Sequence, residues 1–178
     1  GEETMTKAVR RLDSVDCSII ALDKFIQATR DSGYKGTASA ISELVDNSIQ
    51  AGASRVAISI IASPRDDGHA IEVAVLDYGC GMDPFTLRQA LRFGGSTRFG
   101  DRRGLGRYGM GLPNASLSQA RRVTVYTWQP TPARGRRRAR AASPVYSSYL
   151  DVDEIANGEL VEVPRPVLEA SPPVTCAG

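Results

Sequence analysis

Glu43 and Asn47 stand four residues apart in the stretch ISELVDNSIQAGA. On a helix that spacing stacks a carboxylate and an amide on one face, with Gln50 close to the same stripe. Facing a pocket, the pair offers a proton acceptor and a hard oxygen ligand; facing water, it is the polar side of an ordinary amphipathic helix. Asp77 opens a second constellation, Asp77-Tyr78-Gly79-Cys80-Gly81-Met82. An aspartate there could accept a hydrogen bond from an exocyclic amine, while Gly79 and Gly81 leave room for a planar base. A plain Asp-Gly turn has the same letters. The third constellation is Arg103-Gly104-Leu105-Gly106-Arg107-Tyr108-Gly109-Met110-Gly111. Glycines ahead of a helix expose backbone N–H groups at the positive end of its dipole, which suits phosphate. Gly104, Gly106 and Gly109 also spell GxGxxG, but the polar FGGSTRFGDRR before them is no strand, so the dinucleotide-fold reading is rejected.

The elements that must carry these groups are legible in the apolar pattern. Ile19, Leu22, Phe25 and Ile26 predict a helix over about 18–32, and Gly33 follows it. Ser39 to Ala51 forms a second helix with Ile41, Leu44, Val45, Ser48 and Ile49 on its packing stripe, Glu43 and Asn47 on the opposite face, and Gly52 as the stop. Val56, Ile58 and Ile60, the turn PRDDG, and Ile71, Val73 and Val75 predict an antiparallel strand pair ending at Asp77. Asp83 can cap, and Pro84 open, a helix carrying Leu87 and Leu91. Residues 93–111 read as a mobile loop, Met110 to Ala120 as a short helix, and Arg122 to Trp128 as a strand. Further strands are expected at Tyr146–Val152 and Glu159–Val163, with no packed element beyond Pro164 and the chain stopping mid-domain.

Composition removes several classes of function. The 178 residues suit one domain, 1–178, and 42% hydrophobic residues are enough to bury a core. A net formal charge of only +2 speaks against a protein that coats nucleic acid generally. Cys17, Cys80 and Cys176 are scattered and form no CxxC pair, so neither a disulfide framework nor a zinc knuckle is expected. No stretch approaches a membrane span, and the N-terminus has no secretion signal, so a cytoplasmic protein is predicted. His69, the only histidine, falls in the PRDDGHA turn with nothing placed to make it a nucleophile. The run PTPARGRRRARAASP, residues 130–144, reads as a solvated loop; Arg134, Arg136, Arg137, Arg138 and Arg140 could meet DNA phosphates, but no aromatic is interleaved.

The three constellations, in this order, resemble the GHKL ATPases, named for gyrase, the ninety-kilodalton heat-shock chaperones, histidine kinases and MutL. ISELVDNSIQAGA is similar to their N box, DYGCGM to their G1 box and GLGRYGMGL to their G2 box, with 93–111 as the ATP lid; the match spans 36–128. ELVDNSIQAGA and the lid look most like MORC-type and MutL-type members. The resemblance implies an α+β, two-layer sandwich of Bergerat type, with helices on one face of a mixed, mostly antiparallel sheet whose last strands would be lacking. It implies ATP and Mg²⁺ as ligands, with Glu43 as the general base and Asn47 ligating the metal. Asp77 would take the adenine amine, Gly79 and Gly81 make space, and Met82 pack against the base. Gly104, Gly106, Arg107, Tyr108, Gly109, Met110 and Gly111 would surround the phosphates.

Some positions depart from the family pattern: Gln50 stands where many members have aspartate, Leu112-Pro113-Asn114 where MORC-type members tend to have lysine, and no final strand carries the threonine placed near adenine. Dimeric members complete the site with a lysine from a following domain. Slow hydrolysis coupled to lid closure or homodimerisation is the function implied. Two alternatives stay open: an ATP-binding switch without turnover, and a nucleic-acid-binding protein acting through the arginine loop.

Overall fold

A computed structural model describes residues 22–32, 36–65, 68–93, 111–130 and 143–173. The elements are helix α1 (Leu22–Ser32), helix α2 (Thr37–Gln50), strands β1 (Val56–Arg65) and β2 (Gly68–Asp77), helices α3 (Pro84–Ala90) and α4 (Gly111–Gln119), strands β3 (Arg122–Thr127) and β4 (Val145–Asp151), helix α5 (Val152–Ala156) and strand β5 (Val167–Glu169). The expected α+β class is borne out. The strands form two antiparallel groups, β1-β2 and β3-β4-β5. Among the described residues no backbone ladder joins β2 to β3.

The core is built where the apolar spacing of several elements coincides. Ile26 of α1, Leu87 and Leu91 of the α3 turn, Leu117 of α4, Leu150 of β4 and Ile155 of α5 form one buried cluster. Phe25 sets its ring edge-on to Phe93 at 5.5 Å, closing the side of α1. The Asp83 carboxylate accepts the Thr86 N–H at 2.7 Å, which caps α3 as predicted, with Pro84 in its first turn. The Arg30 guanidinium donates to the carbonyls of Leu117 at 2.6 Å and Ala120 at 2.7 Å, so α1 holds the C-terminal end of α4.

The second helix is rotated from the expected setting. Its fully buried residues are Ala40 and Ser48, whereas Ile49 is 62% exposed. Glu43 and Asn47 are half-buried, flanking the packed side instead of lying opposite it. Helix α4 packs against α2. The hairpin has the predicted pairing, from Val56↔Asp77 to Arg65↔Gly68; His69 lies in β2 opposite Pro64 instead of in the turn.

Toward the C-terminus the prediction needs correction. Glu159–Val163 is not a strand. The Glu159 and Leu160 N–H groups turn back to the Glu154 carbonyl at 2.9 and 3.0 Å and finish the end of α5, so they are not available to a ladder. The segment is held instead by Arg88, whose Nε donates to the Val163 carbonyl and whose Nη2 meets Glu162, each at 2.8 Å. Val167–Glu169, past Pro164, does pack, pairing antiparallel with Val145–Ser147. Helix α5, also unpredicted, starts on an Asp151 cap that accepts from Asp153 and Glu154 N–H groups. Beside it, Arg122 lies 4.0 Å from the Tyr149 ring centroid, and the Tyr149 hydroxyl donates to Glu154 at 2.8 Å. That hydrogen bond to Glu154 raises the phenol above its usual pKa.

Candidate functional site

Helix α2 is the spine of the site. It carries Glu43 and Asn47 one turn apart, then Ser48, and ends where Gly52, with φ +71°, turns the chain into the hairpin. The start of α4 is pressed onto this spine. A Cβ added to Gly111 would overlap the Glu43 carboxylate, so the first backbone turn of α4 lies directly against Glu43. The start of α4 is thereby brought against a carboxylate, with the Asn47 amide one turn further along the same helix.

Asp77 joins the same spine from the other side. Its Oδ1 accepts the Gly79 N–H at 2.8 Å, and its Oδ2 lies 3.4 Å from the Ser48 hydroxyl, whose stronger bond, 3.0 Å, goes to the Leu44 carbonyl. The turn beyond Asp77 is wedged. At Gly79 an added Cβ would come within 2.8 Å of Asp77 Oδ1 and 2.9 Å of the Ala51 Cβ; at Gly81, with φ +63°, it would overlap the Trp128 carbonyl. Cys80 N–H donates to the Ala51 carbonyl at 3.1 Å, and Met82 N–H donates to Thr127 Oγ1 at 2.8 Å. Both glycines are therefore demanded by close approach of backbone, in addition to any room a ligand needs.

Of the sequence-predicted residues, Gly111 meets Glu43, Asn47 lies one turn further along α2, and the turn carrying Asp77, Gly79, Gly81 and Met82 joins the end of α2 through Ser48 and Ala51. Gly104, Gly106, Arg107, Tyr108, Gly109 and Met110 lie outside the described residues, as do most of the lid and of the arginine loop. Two buried hydroxyls were missed: Ser48, 3% exposed, and Thr127, 4% exposed. Each sits in an apolar register, Ser48 within the packing stripe of a helix and Thr127 after Val123 and Val125 on the inward face of β3. A small polar residue in such a position was the available signal, because a buried hydroxyl must find a partner.

The model of the family described as histidine kinase-, DNA gyrase B- and HSP90-like ATPase matches residues 34–144, well over half of the chain. The chain belongs to that family. ATP binding by a GHKL-type module follows from the membership. The matched span takes in α2, the hairpin, the glycine turn, α3, α4 and β3. No curated protein matches the chain.

The residues present suit a magnesium nucleotide. Asn47 supplies an amide oxygen, the donor type that Mg²⁺ takes. Among the described residues no helix is long and apolar enough to cross a membrane.

Proposed function

We propose that this chain binds Mg-ATP between α2, the 77–82 turn and the N-terminus of α4, hydrolyses it slowly, and uses occupancy of the site to drive lid closure or pairing with a second copy. The observation that carries the reading is the seating of Gly111 against Glu43, since it supports a γ-phosphate held by α4 within reach of a base on α2.

In this reading Glu43 polarises the attacking water and receives its proton. Asn47 holds the magnesium ion through its amide oxygen. When bound, that ion neutralises charge on the phosphates. Asp77 accepts a hydrogen bond from the adenine amine, Gly79 and Gly81 keep the slot open, and Met82 packs against the base. Backbone N–H groups of Gly106, Gly109 and Gly111 bind phosphate oxygens, with Gly104, Arg107, Tyr108 and Met110 beside them. The module is a single domain spanning 1–178, MORC-like or MutL-like in type and cytoplasmic. Similarity of its N box and lid to those branches supports the type.

Turnover and switching are separated by one pair of measurements. Glu43→Ala should reduce steady-state phosphate release at least about 100-fold, the order expected for a lost general base, while the calorimetric affinity for Mg-ATP stays within about threefold. Undiminished release in the variant would refute the base assignment. Release at the no-enzyme level by the unmodified chain, with binding intact, would favour a switch without turnover. That outcome has a residue to explain it: Gln50 where many members carry aspartate.

A further inference from the structure

We infer that Thr127 is a positioning residue for base recognition: its buried side chain holds the 77–82 turn at the spacing that lets Asp77 and Met82 act on opposite sides of one purine. The inference rests on the nucleotide site proposed above and adds a residue that neither the family match nor the sequence motifs single out.

Thr127 is the last residue of β3, and its backbone belongs to the β3-β4 pair, opposite Tyr146. Its side chain reaches the other way. Oγ1 accepts the Met82 N–H at 2.8 Å, and the hydroxyl proton points back to the Met82 carbonyl at 3.4 Å. A single hydroxyl thus serves both backbone groups of Met82, as a neighbouring strand would. The adjacent Trp128 carbonyl fills the space where Gly81 would carry a Cβ. On its other flank the turn is held by the Tyr78 N–H on the Arg55 carbonyl, the Cys80 N–H on the Ala51 carbonyl and the Gly79 N–H on the Asp77 carboxylate. The hydrogen bond from Met82 to Thr127 is therefore the attachment of this turn to β3 that a side-chain substitution can remove. Thr127 is 4% exposed, so water does not replace it at no cost.

A displaced Met82 would change the width of the slot between it and Asp77. The phosphate-binding groups on α2 and α4 would be untouched, because those helices pack on each other away from Thr127, with Gly111 close against Glu43. Thr127 should consequently affect which base is bound and leave triphosphate binding alone. Inosine triphosphate is the suitable comparison: it carries an oxygen where ATP presents the amine to Asp77, and is otherwise nearly identical.

The test is calorimetric titration of Mg-ATP and Mg-inosine triphosphate into the unmodified chain, Thr127→Val and Thr127→Ser, with circular dichroism as the check on folding. The unmodified chain should prefer ATP. Thr127→Val, equal in shape but without an acceptor, should lose about tenfold in ATP affinity, the equivalent of one net hydrogen bond, and little in affinity for the inosine nucleotide. Thr127→Ser, which keeps the hydroxyl, should keep the preference. Equal losses for both nucleotides in the valine variant, or no loss for either, would overturn the proposal. If the valine variant does not fold, the serine variant decides: a preference that collapses with the hydroxyl still present overturns it. Failure of the unmodified chain to bind either nucleotide would overturn the underlying site together with this inference.

Discussion

Gly111 is the residue at which two separately readable motifs become one site. Its lack of a side chain lets α4 begin against the Glu43 carboxylate, whereas Gly36, at the start of α2, has nothing within 4 Å of an added Cβ. A methyl at the first position must push Glu43 or the helix start aside. Gly111→Ala is expected to lower phosphate release by roughly 100-fold, the scale of a catalytic group misplaced by about an ångström. Gly36→Ala should leave it within about twofold, and equal behaviour of the two variants would show that the contact has no role in the chemistry. At this scale the sequence revealed residues whose type names their chemistry: the glutamate, the asparagine, the aspartate and the glycines. It concealed Ser48 and Thr127, because their partners, Asp77 and Met82, are 29 and 45 residues away along the chain.

Among the elements, helices α1 and α2 and the hairpin were legible because their apolar periods are long enough to be unambiguous, and Asp83-Pro84 marks a helix start by local chemistry alone. The rotation of α2 was not legible, since it depends on where α4 lands. Strand β5 was hidden for a related reason: its three residues are recruited by the edge of β4, and Val167 and Leu168 remain 59% and 64% exposed, so no inward apolar pattern announces it. Helix α4 is held in place from its far end as well as at Gly111. Arg30 binds its last carbonyls, and the Thr37 hydroxyl donates to Gln119 at 2.9 Å. Arg30→Met keeps much of the apolar stem and removes the donors. It should cost about 2 kcal/mol, a fall in Tm of roughly 4–8 °C for a chain of this size. An unchanged Tm by circular dichroism would mean that α4 is held without this cap.

At the scale of the whole molecule, two groups of strands meet at the site. The β1-β2 hairpin delivers Asp77, the β3-β4-β5 group delivers Thr127, and helices α1, α2 and α4 pack together beside them. The family match stops at residue 144, so β4, α5 and β5 lie beyond it; of these, β4 follows the expected Tyr146–Val152 strand to within a residue, whereas α5 and β5 were not expected. Ile58, Ile60, Ile71 and Val73 share one face of the hairpin, a placement that follows from its register, and are 48%, 67%, 71% and 38% exposed. They contribute less to the core than their hydrophobicity suggested. The core instead gathers around Leu87, Leu91 and Leu117, next to the helices that shape the site.

The proposed function stands or falls on whether Asp77, Glu43 and Asn47 together serve an adenine nucleotide. Calorimetric titration of Mg-ATP into this chain and into Asp77→Asn tests it most directly. The account predicts saturable one-to-one binding by the unmodified chain and a loss of at least about tenfold in the variant, whose amide removes the charged acceptor for the adenine amine. Equal affinity in the two chains, with both folded, would contradict it.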